Sequence, residues 1–342
     1  MKLIQKIITG IFLSGMTMLS TDCSKPFPDD GLFNLLLISN IVNTRIIISK
    51  TSLSFREYSP PDTFTVALSA EPRPGSTITI SVTSGSPRAN VSPAALSFTG
   101  GSCPGTGNWC TPQTVTVTPV NNDVVDDDVN SFITLENVWG SLTPYDGLNP
   151  ADVSLTVLND DKRIFRTIAS SNGNLGGVSG ADSSCNTRAG VLGIGSSKAI
   201  LAASTRRACT TANCSGGISE NLDWVLKPNF TYYRPDGTRI MTTNSSAIFP
   251  FGTLLAQWDG TLSYDSGGPF PAWYWMGLKT DWINAVDEIT FKPFNCQDWT
   301  SSNGVDNGGY GDDSKLDGRA IFTFILECNR VLWDTYILCA EQ

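Results

Sequence analysis

The cysteines are the feature that most constrains the fold of this chain. Nine are present, and one of them, Cys23, lies far from the rest. The other eight are an even number, which in an exported chain predicts four disulfides rather than metal ligation. No two cysteines have the Cys-x-x-Cys spacing of a zinc knuckle. Four of the eight bracket one stretch that nested disulfides could close into a compact domain: Cys185, Cys296, Cys328 and Cys339.

Residues 1–22 have the pattern of an export signal. Lys2 and Lys6 supply a positive start, and the apolar segment Ile7–Leu19 is too short to span a bilayer permanently. The sequence therefore predicts that the chain leaves the cytoplasm, where disulfides can form and persist.

The end of this signal, Leu19-Ser-Thr-Asp-Cys23, resembles the cleavage box of bacterial lipoproteins, in which the cysteine becomes the new N-terminus and is acylated. Asp22 departs from the small residue that usually precedes the cysteine, although spirochaetal boxes are looser. The resemblance implies a lipid on Cys23, attachment to the outer membrane at the cell surface, and a tether at residues 23–44. Multiple acyl chains would make the attachment stable. An ordinary secreted or periplasmic protein is the alternative.

Charge and residue usage exclude several functions. The net charge of −9 argues against a nucleic acid partner, which requires basic patches. The chain has no histidine, so Ser–His and Cys–His dyads and imidazole zinc ligands are excluded. No Gly-x-Ser-x-Gly motif is present, and no spacing singles out a pair of catalytic carboxylates. The sequence therefore predicts a protein that is not an enzyme.

Residues 45–162 alternate between apolar and polar side chains. Thr77–Thr83, Thr114–Val120 and Val153–Leu158 are period-two segments rich in β-branched residues, and turn residues separate them. Several short strands with this spacing predict an antiparallel β-sandwich. Cys103 and Cys110 lie close together in a connection rich in glycine and proline, and we expect them to form a disulfide that clips this loop.

The same region resembles Calx-β and related immunoglobulin-like bacterial repeats, through the run Thr114–Asp128 and the last strand, which ends in Leu158-Asn-Asp-Asp161. In Calx-β domains the acidic turn and the acids after the final strand form a calcium site at one end of the sandwich. Because Ca²⁺ takes six to eight oxygens, clustered carboxylates suit it. A solvated acidic turn that has lost calcium is the alternative. The resemblance implies a Ca²⁺ site at Asp123, Asp126, Asp127, Asp160 and Asp161, with Glu57 contributing from an early loop.

The residue composition of the sequence changes at Lys162, and this change predicts a second domain at residues 163–342. The run Gly176-Gly-Val-Ser-Gly-Ala-Asp-Ser-Ser-Cys185 and the closing Cys339-Ala-Glu resemble an endostatin-type domain, a divergent member of the C-type-lectin-like fold. The resemblance implies an outer disulfide Cys185–Cys339 and an inner disulfide Cys296–Cys328. Cys209 and Cys214 are then left to pair locally.

A further resemblance is to uncharacterised domains repeated in leptospiral surface lipoproteins. It rests on Arg206–Gly217, Asp223–Asn229 and Tyr232–Gly237, and a sandwich followed by this domain behind a lipid signal is the typical layout of that family. We therefore expect a mainly β fold with some α structure. Its parts would be an N-terminal antiparallel Calx-β/immunoglobulin-like sandwich and a C-terminal α+β C-type-lectin-like domain of the endostatin type.

The C-terminal domain lacks the known ligand motifs of the families that it resembles. The Glu-Pro-Asn and Trp-Asn-Asp motifs of calcium-dependent lectins and the zinc-binding histidines of endostatin are absent. Endostatin binds heparin through an arginine-rich face, so the resemblance allows a weak glycosaminoglycan patch here, with ordinary surface arginines as the alternative. The arginines that could form it are Arg206, Arg207, Arg234 and Arg239. Trp273, Tyr274 and Trp275 are expected to pack in the core rather than stack on sugars, because alternate residues of a strand point in opposite directions.

Taken together, these features predict a lipid-anchored bacterial surface protein that is not an enzyme. Its C-terminal domain would be a binding or adhesion module for host extracellular-matrix or serum proteins, or for glycosaminoglycan. A structural envelope lipoprotein without a host ligand is the alternative.

Overall fold

The computed structural model describes residues 44–342 apart from 140, 170, 253, 260–261, 266–267 and 331–334, and for 262–265 and 268–271 it describes the backbone alone. The predicted signal peptide, Cys23 and the tether up to residue 43 lie outside the described residues. Within the described part of the chain, no helix combines the length and the apolar character needed to cross a membrane.

The N-terminal part of the described chain forms two facing β-sheets. One sheet has the order β1-β3-β7-β5 and the other the order β2-β9-β8-β4-β6. All neighbouring strands are antiparallel except β2 and β9, which are parallel. The strands are β1 (Ile46–Ile48), β2 (Ser52–Arg56), β3 (Asp62–Leu68), β4 (Thr77–Ser84), β5 (Ala89–Ser92), β6 (Ala95–Thr99), β7 (Gln113–Pro119), β8 (Val129–Leu135) and β9 (Val153–Leu158).

The core of this sandwich follows from the alternation in the sequence. In β4, Ile78, Ile80 and Val82 are buried, and the residues between them are exposed. They pack in one cluster with Phe64 and Val66 of the opposite sheet. A period of two places every second side chain on the same face, so β-branched residues at these positions bury one face of each sheet. The alternation predicted from the sequence is confirmed.

The C-terminal part contains two further sheets, a hairpin and one long helix. The sheets have the orders β11-β20-β10-β12-β13 and β18-β17-β16-β19. The strands are β10 (Asp161–Arg166), β11 (Ser197–Ala199), β12 (Thr231–Tyr233), β13 (Arg239–Thr242), β14 (Leu262–Asp265), β15 (Gly268–Pro271), β16 (Trp273–Trp275), β17 (Asn307–Asp312), β18 (Phe324–Glu327), β19 (Thr335–Tyr336) and β20 (Leu338–Glu341). The helices are α1 (Gly177–Leu192) and the single turn α2 (Cys296–Trp299), with 3₁₀ turns at Ala212–Cys214, Ile218–Glu220 and Gly318–Ala320. The predicted mainly β fold with some α structure is confirmed.

The two parts are joined almost without a linker. Strand β9 of the sandwich ends at Leu158, and β10 begins at Asp161 in the five-stranded sheet, where it pairs with β12 and β20. The change of sheet therefore occurs at residues 159–160, two residues before the boundary expected from the sequence. The side chain of Asn159 stabilises this turn, because its Oδ1 accepts from the Asp161 N–H (3.1 Å).

Four disulfides link the same pairs of cysteines that the sequence and its resemblances indicated. They join Cys103 to Cys110, Cys185 to Cys339, Cys209 to Cys214 and Cys296 to Cys328. The bridge from Cys185 to Cys339 connects α1 to the last strand, and both residues are fully buried. Helix α1 ends where Gly193 takes a left-handed conformation (φ 67°), which allows its N–H to bond the Ala189 carbonyl.

Among the described residues, the four most deeply buried indole rings of the C-terminal part lie in its core: Trp258, Trp275, Trp282 and Trp299. Each of these buried rings donates its N–H to a backbone carbonyl, as the burial of a polar atom requires. Tyr274 and Trp275 are fully buried, which confirms that these two rings of β16 belong to the core. Trp273 is half-buried and lies 5.2 Å from the Tyr310 ring, measured between centroids.

Candidate metal centre at the domain junction

Strand register brings three acidic residues to the junction of the two parts. The parallel neighbours β2 and β9 place Arg56 opposite Leu158, so the residues that follow them leave the sheet at the same edge. Glu57 follows β2, and its N–H donates to the Leu158 carbonyl (3.2 Å). Asp160 and Asp161 follow β9. The geometry of one strand pair therefore joins residues that are about a hundred positions apart.

The three carboxylates form a compact, buried group. One oxygen each of Glu57, Asp160 and Asp161 lies within 4.8 Å of the other two. The exposed fractions of the residues are 2%, 4% and 0%. Like charges this close in a buried site repel strongly unless a proton or a cation joins them.

Asp161 has the least satisfied carboxyl of the three. Neither of its carboxylate oxygens has a hydrogen-bond partner among the described residues, and both are buried. Burial first, and then the negative charges of Asp160 and Asp123, raises the pKa of Asp161 to about 7. Burial also raises the pKa of Asp160. Buried carboxylate oxygens that accept no hydrogen bond are unusual in folded proteins, and a bound cation would account for these two.

Arg88 neutralises the sandwich side of this group. Its guanidinium donates to Glu57 Oε1 and to Asp126 Oδ2, the latter at 2.8 Å. The second oxygen of Glu57 accepts from the Asn122 N–H at 3.1 Å. Both oxygens of Glu57 are thus engaged, whereas those of Asp161 are not. The arginine holds one side of the site, and the other side presents Asp160 and Asp161.

The donor set fits a single divalent cation of the calcium type. It consists only of carboxylate oxygens, which hard cations prefer, and it includes two buried oxygens without protein donors. Ca²⁺ takes six to eight oxygens, so water would complete the shell. Asp160 and Asp161 would hold the ion, and Glu57 would contribute its charge from the sandwich. The ion would supply the positive charge that this side of the group lacks.

The other residues expected at the calcium site lie outside this group. Asp126 is connected to it through Arg88 and through Asn122, whose side-chain amide donates to Asp126 Oδ2 (2.9 Å). Asp123 is exposed and accepts from the Tyr233 hydroxyl at 3.2 Å, and Arg239 Nη1 is 3.9 Å from it. Asp127 is exposed and is not a member of the carboxylate group found among the described residues. The structure therefore groups only three of the six expected residues, Glu57, Asp160 and Asp161, because Asp123 and Asp126 are bonded to Tyr233 and Arg88 and Asp127 is exposed.

Arg88 was not predicted to be a site residue from the sequence, although its position before β5 indicates such a role. It directly precedes β5, which pairs with β7, and its carbonyl accepts from the Val120 N–H at 2.8 Å. The acidic stretch begins just after Val120. If the pairing of β5 with β7 is known, Arg88 is expected to lie beside that acidic stretch.

A cleft of about 620 Å³ opens next to the carboxylate group, between the two parts. This volume lies within the range of small-ligand sites. Arg56 and Tyr58 line it from the sandwich, and Arg239 and Thr242 line it from β13. Asp160 lies at its wall, so the metal centre borders the cleft.

The four arginines expected to form a glycosaminoglycan patch do not form one. Arg206 is 1% exposed, and its guanidinium is held by Asp182 (2.7 Å) and Asp223 (2.6 Å). It also donates to the Ala199 carbonyl in β11, whereas Arg239 lies in β13. Strands β11 and β13 are opposite edges of the five-stranded sheet, about 19 Å apart.

The two remaining arginines of this set also have partners within the protein. Arg207 donates to the Glu220 carbonyl at 3.0 Å, and Arg234 lies 3.5 Å from Asp236. The expectation of a single basic patch is therefore wrong. The sequence places these residues near one another along the chain, but the sheet separates them, and a carboxylate pair buries Arg206.

A family model described as a protein of unknown function (DUF1554) matches residues 168–316. No curated protein matches the chain. Similar solved structures include the apo-form Calx CBD1 domain, at 16% identity over 34% of this chain and 98% of that chain, with a TM-score of 0.25. The CBD12 calcium binding domain of CALX1.1 has 17% identity over 36% of this chain and 50% of that chain, with a TM-score of 0.26.

The structure of a chaperone is also among the similar ones. The E. coli chaperone DraB has 12% identity over 34% of this chain and 56% of that chain, with a TM-score of 0.23. The chain spans about half the length of the first of these solved structures, 56% and 48% for two of them. Likeness at this level leaves the function of the chain open.

Proposed function

We propose that this chain is an exported, non-enzymatic binding protein in which one calcium ion fixes the β-sandwich to a C-terminal binding domain. The observation that carries the proposal is the buried Asp161 carboxylate, whose two oxygens have no hydrogen-bond partner in the described structure, beside Glu57 and Asp160. We further propose that Cys23 carries the lipid anchor and that the C-terminal domain is C-type-lectin-like.

The position of the cation would make it a joint between the two parts. Glu57 belongs to the sandwich, and Asp161 is the first residue of β10 in the C-terminal sheet. Direct hydrogen bonds already cross this junction: Arg56 donates to the Pro228 carbonyl (3.0 Å), and Arg163 donates to the Val125 carbonyl (3.2 Å). These hydrogen bonds are polar, so a cation bound beside them would add to the rigidity of the joint.

Four features support a role in binding outside the cell. All eight described cysteines are in disulfides, which suits an oxidising compartment. The signal pattern and the lipoprotein-like box at Cys23 suit surface attachment. The resemblance to leptospiral surface lipoproteins suits display to a host. The interdomain cleft offers a concave surface beside the metal centre. We propose host extracellular-matrix or serum proteins as the partners.

Display and binding are tested together. We expect brief protease treatment of intact cells to cleave the chain, and we expect the purified chain to bind at least one of immobilised laminin, fibronectin and plasminogen saturably. Binding should weaken in EDTA, because loss of the ion frees the joint. Protection of the chain in intact cells, together with no saturable binding to any of the three, would instead favour a structural envelope lipoprotein.

Calcium binding is tested separately by thermal unfolding. A ligand that binds only the native state stabilises it by about 2.7 kcal/mol at 100 times its Kd. We therefore expect Ca²⁺ to raise the Tm of the chain, and Asp161→Asn to abolish that increase. The matched control is Asp127→Asn, which removes an exposed carboxylate outside the group and should leave the increase intact. A Tm that does not move with Ca²⁺, or equal loss in both variants, contradicts the proposed site.

A further inference from the structure

A second cleft, remote from the metal centre in the fold, contains an arginine that has no partner among the residues that the structure describes. This cleft has a volume of about 360 Å³ and lies between α1 and the segment that follows β10. Arg188 of α1 lines it, and its guanidinium has no hydrogen-bond or ion-pair partner among the described residues. Its Nε is buried and therefore cannot rely on solvent.

This state of Arg188 contrasts with the other arginines of the C-terminal part. Those at 163, 166, 206, 207, 234, 239, 319 and 330 each contact a carboxylate or a carbonyl in the described structure. A guanidinium presents five N–H donors in a planar fork, and a buried donor without an acceptor destabilises the protein. The cleft therefore holds a cation that has no acceptor among the described residues.

Ser171 supplies a second donor in the same cleft. Its Oγ is buried and has no partner in the described part of the chain. The backbone on either side of this hydroxyl is held in place, because the Ser171 N–H donates to the Thr335 carbonyl (2.8 Å) and its own carbonyl accepts from Trp275 Nε1 (3.0 Å). The backbone that carries this hydroxyl is therefore fixed, whereas the hydroxyl itself forms no hydrogen bond in the described structure.

The remaining polar groups of the cleft are already engaged. Ser184 and Thr187 donate their hydroxyl protons to carbonyls of α1, at 3.1 Å and 2.9 Å. The Thr167 hydroxyl donates to the Ala169 carbonyl (3.2 Å). Ile168 and Ile337 add apolar surface. The free donors are therefore one guanidinium and one hydroxyl, next to an apolar wall.

We propose that the cleft at Arg188 binds a single carboxylate group attached to a small, partly apolar body. A carboxylate matches the planar fork of the guanidinium bidentately. One cation balances one negative charge, whereas the cleft lacks the several cations that gather around a phosphate or sulfate dianion. The volume suits one amino acid or one sugar unit. This site stands on a different part of the surface from the calcium site and does not depend on it.

Two sources can supply such a carboxylate: the C-terminus of a peptide or an acidic sugar. The probes are N-acetyl-L-leucine for the first and glucuronate for the second, titrated into the purified chain by calorimetry or ligand-observed NMR. N-acetyl-L-leucinamide and methyl glucoside are the neutral counterparts. Saturable binding of either acid and not of its neutral counterpart supports the site, and the acid that binds more tightly identifies the source.

The variants locate the binding at Arg188. We expect Arg188→Gln to weaken the binding of the acid about tenfold or more, because charge-assisted hydrogen bonds are lost. Arg188→Lys keeps the charge without the fork and should also weaken it. Arg319→Gln, which changes an exposed arginine paired with Asp317, is the matched control and should bind normally. Glutamine favours helices, and an unchanged Tm verifies the fold.

Four results would overturn the proposal. They are absence of saturable binding by both acids, equal binding of an acid and its neutral counterpart, tighter binding of sulfate than of either acid, and unchanged affinity in Arg188→Gln. If Arg188→Gln does not fold, Arg188→Lys and Ser171→Ala are measured instead, and unchanged affinity in both has the same meaning.

Discussion

Replacing both Cys185 and Cys339 by alanine is expected to lower the free energy of unfolding of the C-terminal domain by about 5 kcal/mol. The bridge closes a sequence separation of 154 residues, the longest of the four. Its removal returns that loop entropy to the unfolded chain. Domains are stable by about 5–15 kcal/mol in total, so the variant should be close to unfolding at body temperature. Denaturant titration followed by tryptophan fluorescence measures the change, because most tryptophans lie in this domain.

The matched control is the double variant Cys103→Ala and Cys110→Ala. That bridge spans a separation of only 7 residues and lies in a loop of the sandwich. The same entropy argument gives a loss of about 2–3 kcal/mol, confined to the sandwich. The C-terminal transition should be unchanged in this variant. If the two double variants lose the same stability in the C-terminal transition, the outer bridge does not act by closing the long loop.

In metal-free buffer containing EDTA, the stability of the chain is expected to fall as the pH rises from about 5 to 8. The pKa of Asp161 is about 7 in the folded protein, against the ordinary aspartate value of 3.8 that applies to the unfolded chain. Between these values the folded state binds more protons than the unfolded one, so each rise in pH favours unfolding. Between pH 5 and 8 this loss amounts to about 3 kcal/mol, out of about 4 kcal/mol for the whole pKa difference of about three. Urea titrations at half-unit pH intervals measure it.

Calcium and Asp161→Asn are the controls for this pH dependence. The ion replaces the proton, so saturating Ca²⁺ should remove the fall in stability or reverse it. Asparagine at 161 does not titrate, so that variant should lose most of the dependence between pH 5 and 8. The carboxyls with lowered pKa, such as Glu220 at about 2, titrate below this range. A wild-type chain in EDTA whose stability is flat or rises between pH 5 and 8 would contradict the burial of a strained carboxyl at Asp161.

The alternation of apolar and polar residues was enough to predict much of the sandwich. Alternation in β4 predicted which of its side chains are buried, because the two-residue period is a property of the strand itself. The local pairs Cys103–Cys110 and Cys209–Cys214 needed only short separations. The long bridges were indicated by a family resemblance and by nothing in the spacing of the cysteines.

Only part of the candidate metal centre could be predicted from the sequence. The acidic residues were identified, but the sequence does not show that β2 and β9 are parallel neighbours, which is what brings Glu57 to Asp160 and Asp161. It also does not show that Arg88 reaches Glu57. Asp127 and Asp161 look equivalent along the chain, yet one is exposed and the other has no exposed surface.

The sequence by itself predicted period-two strands of the sandwich and their buried faces, and it contains the export pattern and the excess of acidic residues, because each of these depends on residues that are neighbours in the chain. Only the tertiary structure decided which charges meet. It buried Arg206 between two carboxylates and left Arg188 without a partner among the described residues, although both are arginines of the same domain. The physical reason is that a charge is satisfied by whatever the sheet order brings within a few ångströms, and sheet order joins residues that are far apart in the chain.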